Sequence, residues 1–142
     1  MLGYKIGKIL VPLDGSQISY EGLEKSIYLA KQCKASITCL CVTFLPPNLA
    51  FESVESLDST ARKNIDQILE KAKVIVEKNE MDFHSEIIFG NAAQKILSYA
   101  NQWKFDLIVI GSRGAGSKDE SFIGSVANGV LHHSKIPILI IK

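Results

Sequence analysis

The chain has 142 residues, 46% of them hydrophobic and 22% charged, with a formal net charge of +1 at pH 7. That length suits a single domain, residues 1–142, with a sizeable core, and the near-neutral charge gives no electrostatic case for nucleic acid or an anionic membrane as a partner. No apolar run approaches the roughly 20 residues that cross a bilayer, and the first residues lack the long apolar region of a secretory signal, so a cytoplasmic location is expected.

Residues 6–13 are apolar and β-branched apart from Lys8 and predict a buried strand, β1. Asp14-Gly15-Ser16 ends it, and Ser16 is placed to cap the helix that follows. Ile18, Leu23, Ile27 and Ala30 fall near one helical face and predict α1 over residues 16–34. Residues 36–44 form a second apolar run, β2. Pro46-Pro47 stops it, and residues 45–58 are the longest irregular stretch, a candidate lid. Ala61, Ile65, Ile68, Leu69, Ala72 and Val76 repeat at helical spacing, so α2 covers residues 59–78. Residues 83–89 predict β3, and Gly90-Asn91 opens α3, whose inner face is Ala93, Ile96, Leu97 and Ala100. Residues 106–110 predict β4. Gly124-Ser125 opens α4, with Ala127, Val130 and Leu131 facing inward, and residues 137–141 predict β5.

Strands that are apolar on both faces and alternate with helices imply an α/β fold, a doubly wound parallel sheet of five strands with helices on both faces. In such sheets the ligand sits beyond the carboxyl ends of the strands, where the winding direction reverses. If the strand order is 3-2-1-4-5, β1 lies beside β4. The turn at Asp14 then faces the loop after β4 across a crevice.

That loop is the most informative stretch: Asp106-Leu-Ile-Val-Ile-Gly111-Ser-Arg113-Gly114-Ala-Gly116-Ser-Lys-Asp-Glu-Ser-Phe-Ile-Gly124-Ser125. A buried strand, a glycine loop and a helix start, in that order, build a phosphate cradle from main-chain N–H groups. Gly111 is expected to turn the chain sharply, and Gly114, Gly116 and Gly124 to remove side chains where a phosphate must touch backbone. Ser125 adds a hydroxyl, and the first N–H groups of α4 are unpaired at the positive end of its dipole. Asp14 suits either a ribose hydroxyl or a divalent cation held between phosphates. Val42, near the end of β2, offers an apolar wall or main-chain bonds to a flat base. Arg113 can reach phosphate or simply be solvated, as can Lys118, Asp119 and Glu120.

Other chemistries find less support. The Walker pattern needs a lysine between its glycine and hydroxyl residue, and Gly124-Ser125 has none. The dinucleotide fingerprint needs its glycines after the first strand, where this chain has Asp14-Gly15-Ser16-Gln17; read from Gly114, the third position is Asp119. Cys33, Cys39 and Cys41 make an odd count, which argues against a disulfide framework. Cys39 and Cys41 share one face of a strand and read as small buried hydrophobes. His132 and His133 are neighbours on a helix and point about 100° apart, so they cannot chelate one metal together. His84 stands alone in β3, and no general base stands out.

These residues resemble the universal stress protein family, of its ATP-binding type. The family signature is glycine, two residues, glycine, nine residues, then Gly-Ser or Gly-Thr, and Gly111, Gly114, Gly124 and Ser125 stand at that spacing. Val11-Pro12-Leu13-Asp14-Gly15-Ser16, the β4 stretch and the closing Pro137-Ile-Leu-Ile-Ile are also similar, so the resemblance spans essentially the whole chain. It implies strand order 3-2-1-4-5. It implies an adenine nucleotide, ATP or AMP, bound at Pro12, Leu13, Asp14, Val42, Gly111, Arg113, Gly114, Gly124, Ser125 and Val126, with Mg²⁺ accompanying ATP. It also implies a homodimer formed through the C-terminal strand. Asp119 and Glu120 depart from the more basic or apolar spacer of relatives. Acids near a polyphosphate weaken binding unless a cation intervenes or they point outward, which leaves the choice between ATP and AMP open.

Three functions follow as expectations. The first is a dimeric adenine-nucleotide-binding stress-response module, hydrolysing ATP slowly at most, whose occupancy sets affinity for an unidentified protein partner. The second is a dimeric scaffold that binds no nucleotide. The third is a phosphoryl-transferring enzyme, which would show multiple turnover.

Overall fold

Continuous apolar runs let the two central strands bury both faces, and the sheet forms around them. In the computed structural model, which describes residues 3–44, 59–114 and 123–142, the elements run β1 (Lys8–Pro12), α1 (Gln17–Cys33), β2 (Ser36–Thr43), α2 (Ser59–Lys78), β3 (His84–Phe89), α3 (Ala92–Gln102), β4 (Leu107–Gly111), α4 (Ser125–His133) and β5 (Ile138–Ile141). All pairings are parallel, in the order β3-β2-β1-β4-β5. Ile9 stands opposite Ile37 on one side and Leu107 on the other.

The alternation of side chains divides the core in two. Ile9 and Val11 point to the face covered by α1 and α2, where they pack with Leu23, Ile27, Ile37, Ala72, Val76 and Val109. Leu10, Ile108 and Ile110 point to the opposite face and pack with Leu40, Ile96, Ala100, Ala127 and Val130 of the α3/α4 side. Each fully buried leucine or isoleucine contributes about 1.5–3 kcal/mol of transfer free energy, so the two layers together hold the sheet between its helices. Cys39 and Cys41 lie buried on the first of these faces. Burial, with the neighbouring Cys41, pushes the Cys39 thiol up to about 12; burial, with Asp14, does the same for Cys41. Both are neutral packing groups at physiological pH, and Cys33 is exposed.

Leu131 departs from expectation: Ala127 and Val130 are buried, but Leu131 is 43% exposed. With only nine residues, α4 turns a narrow stripe to the core, and Leu131 lies one position beyond it.

The winding reverses between β1 and β4. At the amino-terminal pole of this junction the chain is bolted together. The Asp106 carboxylate accepts from the N–H groups of Gly7 (2.8 Å) and Lys8 (3.0 Å) through Oδ2. Tyr4 donates its hydroxyl proton to the Asp106 carbonyl, and Lys8 Nζ donates to the Trp103 carbonyl while lying 4.5 Å from the Phe105 ring centre. The carboxyl-terminal pole is built differently.

Candidate functional site

The sequence Asp14-Gly15-Ser16 folds into a turn that holds its own aspartate. Ser16 donates both its N–H (2.9 Å) and its hydroxyl (2.5 Å) to Asp14 Oδ1. The same serine caps α1 by accepting from Ser19 N–H. Gly15 has φ 87°, a left-handed conformation that favours glycine, and a Cβ there would sit 3.2 Å from Ile68 of α2. With Oδ1 held by Ser16, Oδ2 faces the neighbouring loop: a Cβ on Gly114 would lie 3.2 Å from it. The rims after β1 and β4 therefore converge.

Beyond β4, Ser112 donates its N–H to the Ile141 carbonyl (2.7 Å), and its carbonyl accepts from Gly124 N–H (2.6 Å). The two ends of the glycine loop are thus stitched together, and α4 starts against the end of β4. Gly124 occupies the N-cap of α4 with φ −64° and supplies no side-chain cap. Its own N–H is spent on Ser112 and its carbonyl accepts from Asn128. The amides of Ser125, Val126 and Ala127 have no helical carbonyl upstream, and no acceptor for them occurs among the described residues. By contrast, α1 and α3 are capped by the side chains of Ser16 and Asn91.

One expectation changes its physical cause. Gly111 does not serve a sharp turn: it is the last residue of β4, and Gly15 and Gly90 are the glycines with positive φ among the described residues. A Cβ at Gly111 would instead stand 2.9 Å from Ile18 Cγ2, so glycine there lets α1 approach the sheet.

The rims enclose a cavity of about 310 Å³, within the size range of small-molecule sites, roughly 300–1,000 Å³. All ten residues named from the sequence line it: Pro12, Leu13 and Asp14 after β1, Val42 on β2, Gly111, Arg113 and Gly114 at the end of β4, and Gly124, Ser125 and Val126 at the start of α4. Its inner wall is apolar, made by Leu40, Val42, Ala92, Ile96, Ile110 and Ala127. The outer end is polar, with Asp14 on one side and the uncapped amides of α4 on the other. Gly116, the acids Asp119 and Glu120, Lys118 and the candidate lid 45–58 lie outside the described residues.

Sequence reasoning missed Ser19 and Ser112. Ser112 is 2% exposed and its hydroxyl has no hydrogen-bond partner among the described residues; neither has Nε of Arg113. A buried polar atom left unpaired costs about 1–3 kcal/mol, so such atoms concentrate where a ligand completes them. The signal was present in the alternation of β4: positions 108 and 110 face the α3/α4 layer, and position 112 continues that face with a polar residue. Among the described residues no group of three or more histidine, cysteine or acidic side chains is placed to hold a metal. Nor does any helix there have the length and apolar character to cross a membrane.

Comparison with known proteins adds to this geometry. The profile of the universal stress protein family matches residues 5–142. A universal stress protein of Methanocaldococcus jannaschii is 30% identical over 138 residues, covering 95% of this chain and 81% of that one. A solved universal stress protein in complex with cAMP has a TM-score of 0.78 at 22% identity, covering 96% of this chain and 97% of its own. The universal stress protein from Archaeoglobus fulgidus in complex with dAMP has a TM-score of 0.73 at 20% identity, covering 96% and 98%. At those identities the structural likeness speaks to the fold.

Proposed function

The chain belongs to the universal stress protein family, and from that premise we propose that it is an adenine-nucleotide-binding regulatory module with its ligand in the cavity between β1 and β4. The observation that carries this reading is the two-part character of that one cavity. An apolar slot ends in helix amides and polar side-chain atoms that have no partner among the described residues. A flat base suits the slot between Val42, Ile96 and Ile110. A ribose suits Asp14, whose Oδ2 faces the Gly114 rim. Phosphate suits the amides of Ser125, Val126 and Ala127 with the Ser125 hydroxyl, at the positive end of the α4 dipole. The nucleotides bound by the two solved relatives, cAMP and dAMP, share that chemistry.

Mg²⁺ fits this donor set only as a companion of polyphosphate. Among the described residues Asp14 is the one carboxylate lining the cavity, so the phosphates themselves would complete the coordination, as is usual for this ion. The partner surface is β5, an edge strand of the sheet whose Leu139 is 37% exposed; unprotected edges pair with a second copy. Nucleotide occupancy would regulate a protein partner through differential affinity for two states of that dimer.

Calorimetric titration with ATP and AMP, with and without Mg²⁺, tests the reading. One saturable site per chain is expected, with ATP alone responding to Mg²⁺. Absence of binding at millimolar nucleotide overturns it in favour of a scaffold.

A further inference from the structure

We propose that the Ser112 hydroxyl is a ligand-binding group, donating its proton to the phosphoryl group nearest the nucleoside; this deepens, and rests on, the nucleotide reading above. Three observations converge on it. The hydroxyl is buried, with Ser112 only 2% exposed, yet it has no partner among the described residues. Its direction follows from the strand that precedes it: Leu107 and Val109 pack on the α1/α2 side and Ile108 and Ile110 on the α3/α4 side. A Cβ at Gly111 would point at Ile18 of α1. Position 112 therefore turns to the α3/α4 side, where the apolar wall of the cavity lies, and Ser112 is part of its lining.

The third observation is rigidity. Both main-chain groups of Ser112 are engaged, the N–H with Ile141 and the carbonyl with Gly124. The residue is fixed against the N-cap of α4, and its hydroxyl has no partner among the described residues. A donor held in place beside the amides of Ser125, Val126 and Ala127, which have no acceptor among the described residues, adds to their anion site with little further loss of conformational freedom on binding. Phosphoryl oxygen is the acceptor this position favours, because hydrogen bonds to charged oxygens are the stronger ones. The ribose hydroxyls have their own acceptor across the cavity in Asp14.

Titration of Ser112→Ala with AMP and with adenosine, alongside melting of the ligand-free protein, tests the assignment. AMP affinity is expected to fall roughly tenfold and adenosine affinity by less than about twofold. The ligand-free melting temperature is expected to be no lower than the parent's, because an unpaired buried hydroxyl has been removed. Ser112→Cys, close in volume but a poor donor, is expected to lose AMP affinity similarly with the fold intact. Equal losses for AMP and adenosine overturn the phosphoryl assignment. Unchanged AMP affinity, or a lowered ligand-free melting temperature with the nucleotide-induced gain intact, assigns the serine to structure and overturns the proposal. A parent chain that binds neither probe overturns the nucleotide reading as a whole; a binding parent with an indifferent variant overturns only the role of Ser112.

Discussion

The two ends of the β1–β4 junction carry one aspartate each and use them in opposite ways. Asp106, at the amino-terminal pole, is consumed by the fold: two backbone N–H groups end on its carboxylate, and Tyr4 ends on its carbonyl. Asp14, at the carboxyl-terminal pole, is held at one oxygen by Ser16 while the other faces a glycine loop. Around Asp106 the polar groups find each other. Around Asp14, among the described residues, the cavity keeps a hydroxyl and a guanidinium nitrogen without partners and a helix start without a side-chain cap. The contrast teaches that in one parallel sheet the stabilising pole and the ligand pole are told apart by polar satisfaction, since residue type is the same at both.

The sharpest way to break that contrast is to close the ligand pole. Gly114→Val adds a branched side chain whose first carbon already stands 3.2 Å from Asp14 Oδ2. Nucleotide binding is expected to fall by about two orders of magnitude or more, read as loss of the nucleotide-induced gain in melting temperature. Retention of that gain places the ligand elsewhere. Next in size is the opposite pole. Asp106→Ala strands two backbone donors and is expected to cost about 2 kcal/mol, or a fall in melting temperature of about 5–10 °C. Nucleotide affinity of the folded protein should be unchanged, and a large loss of affinity would show that the poles are coupled.

A finer change exchanges the logic of one helix start for another. Gly124→Asp gives α4 the kind of side-chain cap that Ser16 and Asn91 provide for α1 and α3. A Cβ at this position meets only contacts of 3.4 Å or longer, so the fold accommodates it. Capping is expected to raise ligand-free stability by a few tenths of a kcal/mol. It also engages an amide meant for phosphate and adds a negative charge, so AMP affinity is expected to drop about tenfold. Calorimetry and thermal melting on the same sample read both effects, and a parallel rise in stability and affinity would remove α4 from the binding site.

The strand and helix order was legible because Ile9, Val11, Ile37 and Val109 are members of apolar runs too short for helices, while Ile65, Ile68, Ala72 and Val76 keep helical spacing. Strand order was not, since parallel pairing leaves no local mark; it came with the glycine spacing shared with a known family. Gly114 and Asp14 were legible as cavity lining because both follow the carboxyl ends of strands, where the rims of a parallel sheet meet at the winding reversal. Gly111 was legible as a constraint but not for its cause, because its close neighbour Ile18 lies on another element. Ser112 escaped because a serine next to Gly111 looks like loop, although the alternation of β4 carries on to it and burial shows that it is wall. Leu131 misled because one residue of helical phase separates core from surface in so short a helix.

The mildest test uses the cysteines as probes of each pole without altering either. Cys33 ends α1 at the amino-terminal pole and is exposed, whereas Cys39 and Cys41 are buried in β2, with Cys41 close enough to Asp14 to feel its charge. Thiols react as thiolates, and with pKa values pushed up to about 12 the buried pair has almost none at pH 8. Alkylation at that pH should modify Cys33 quickly and the other two only as the chain opens. If the ligand belongs to the carboxyl-terminal pole, saturating AMP slows labelling of Cys39 and Cys41 by mass action on the native state and leaves Cys33 untouched. Protection of Cys33 instead would move the nucleotide to the wrong end of the sheet.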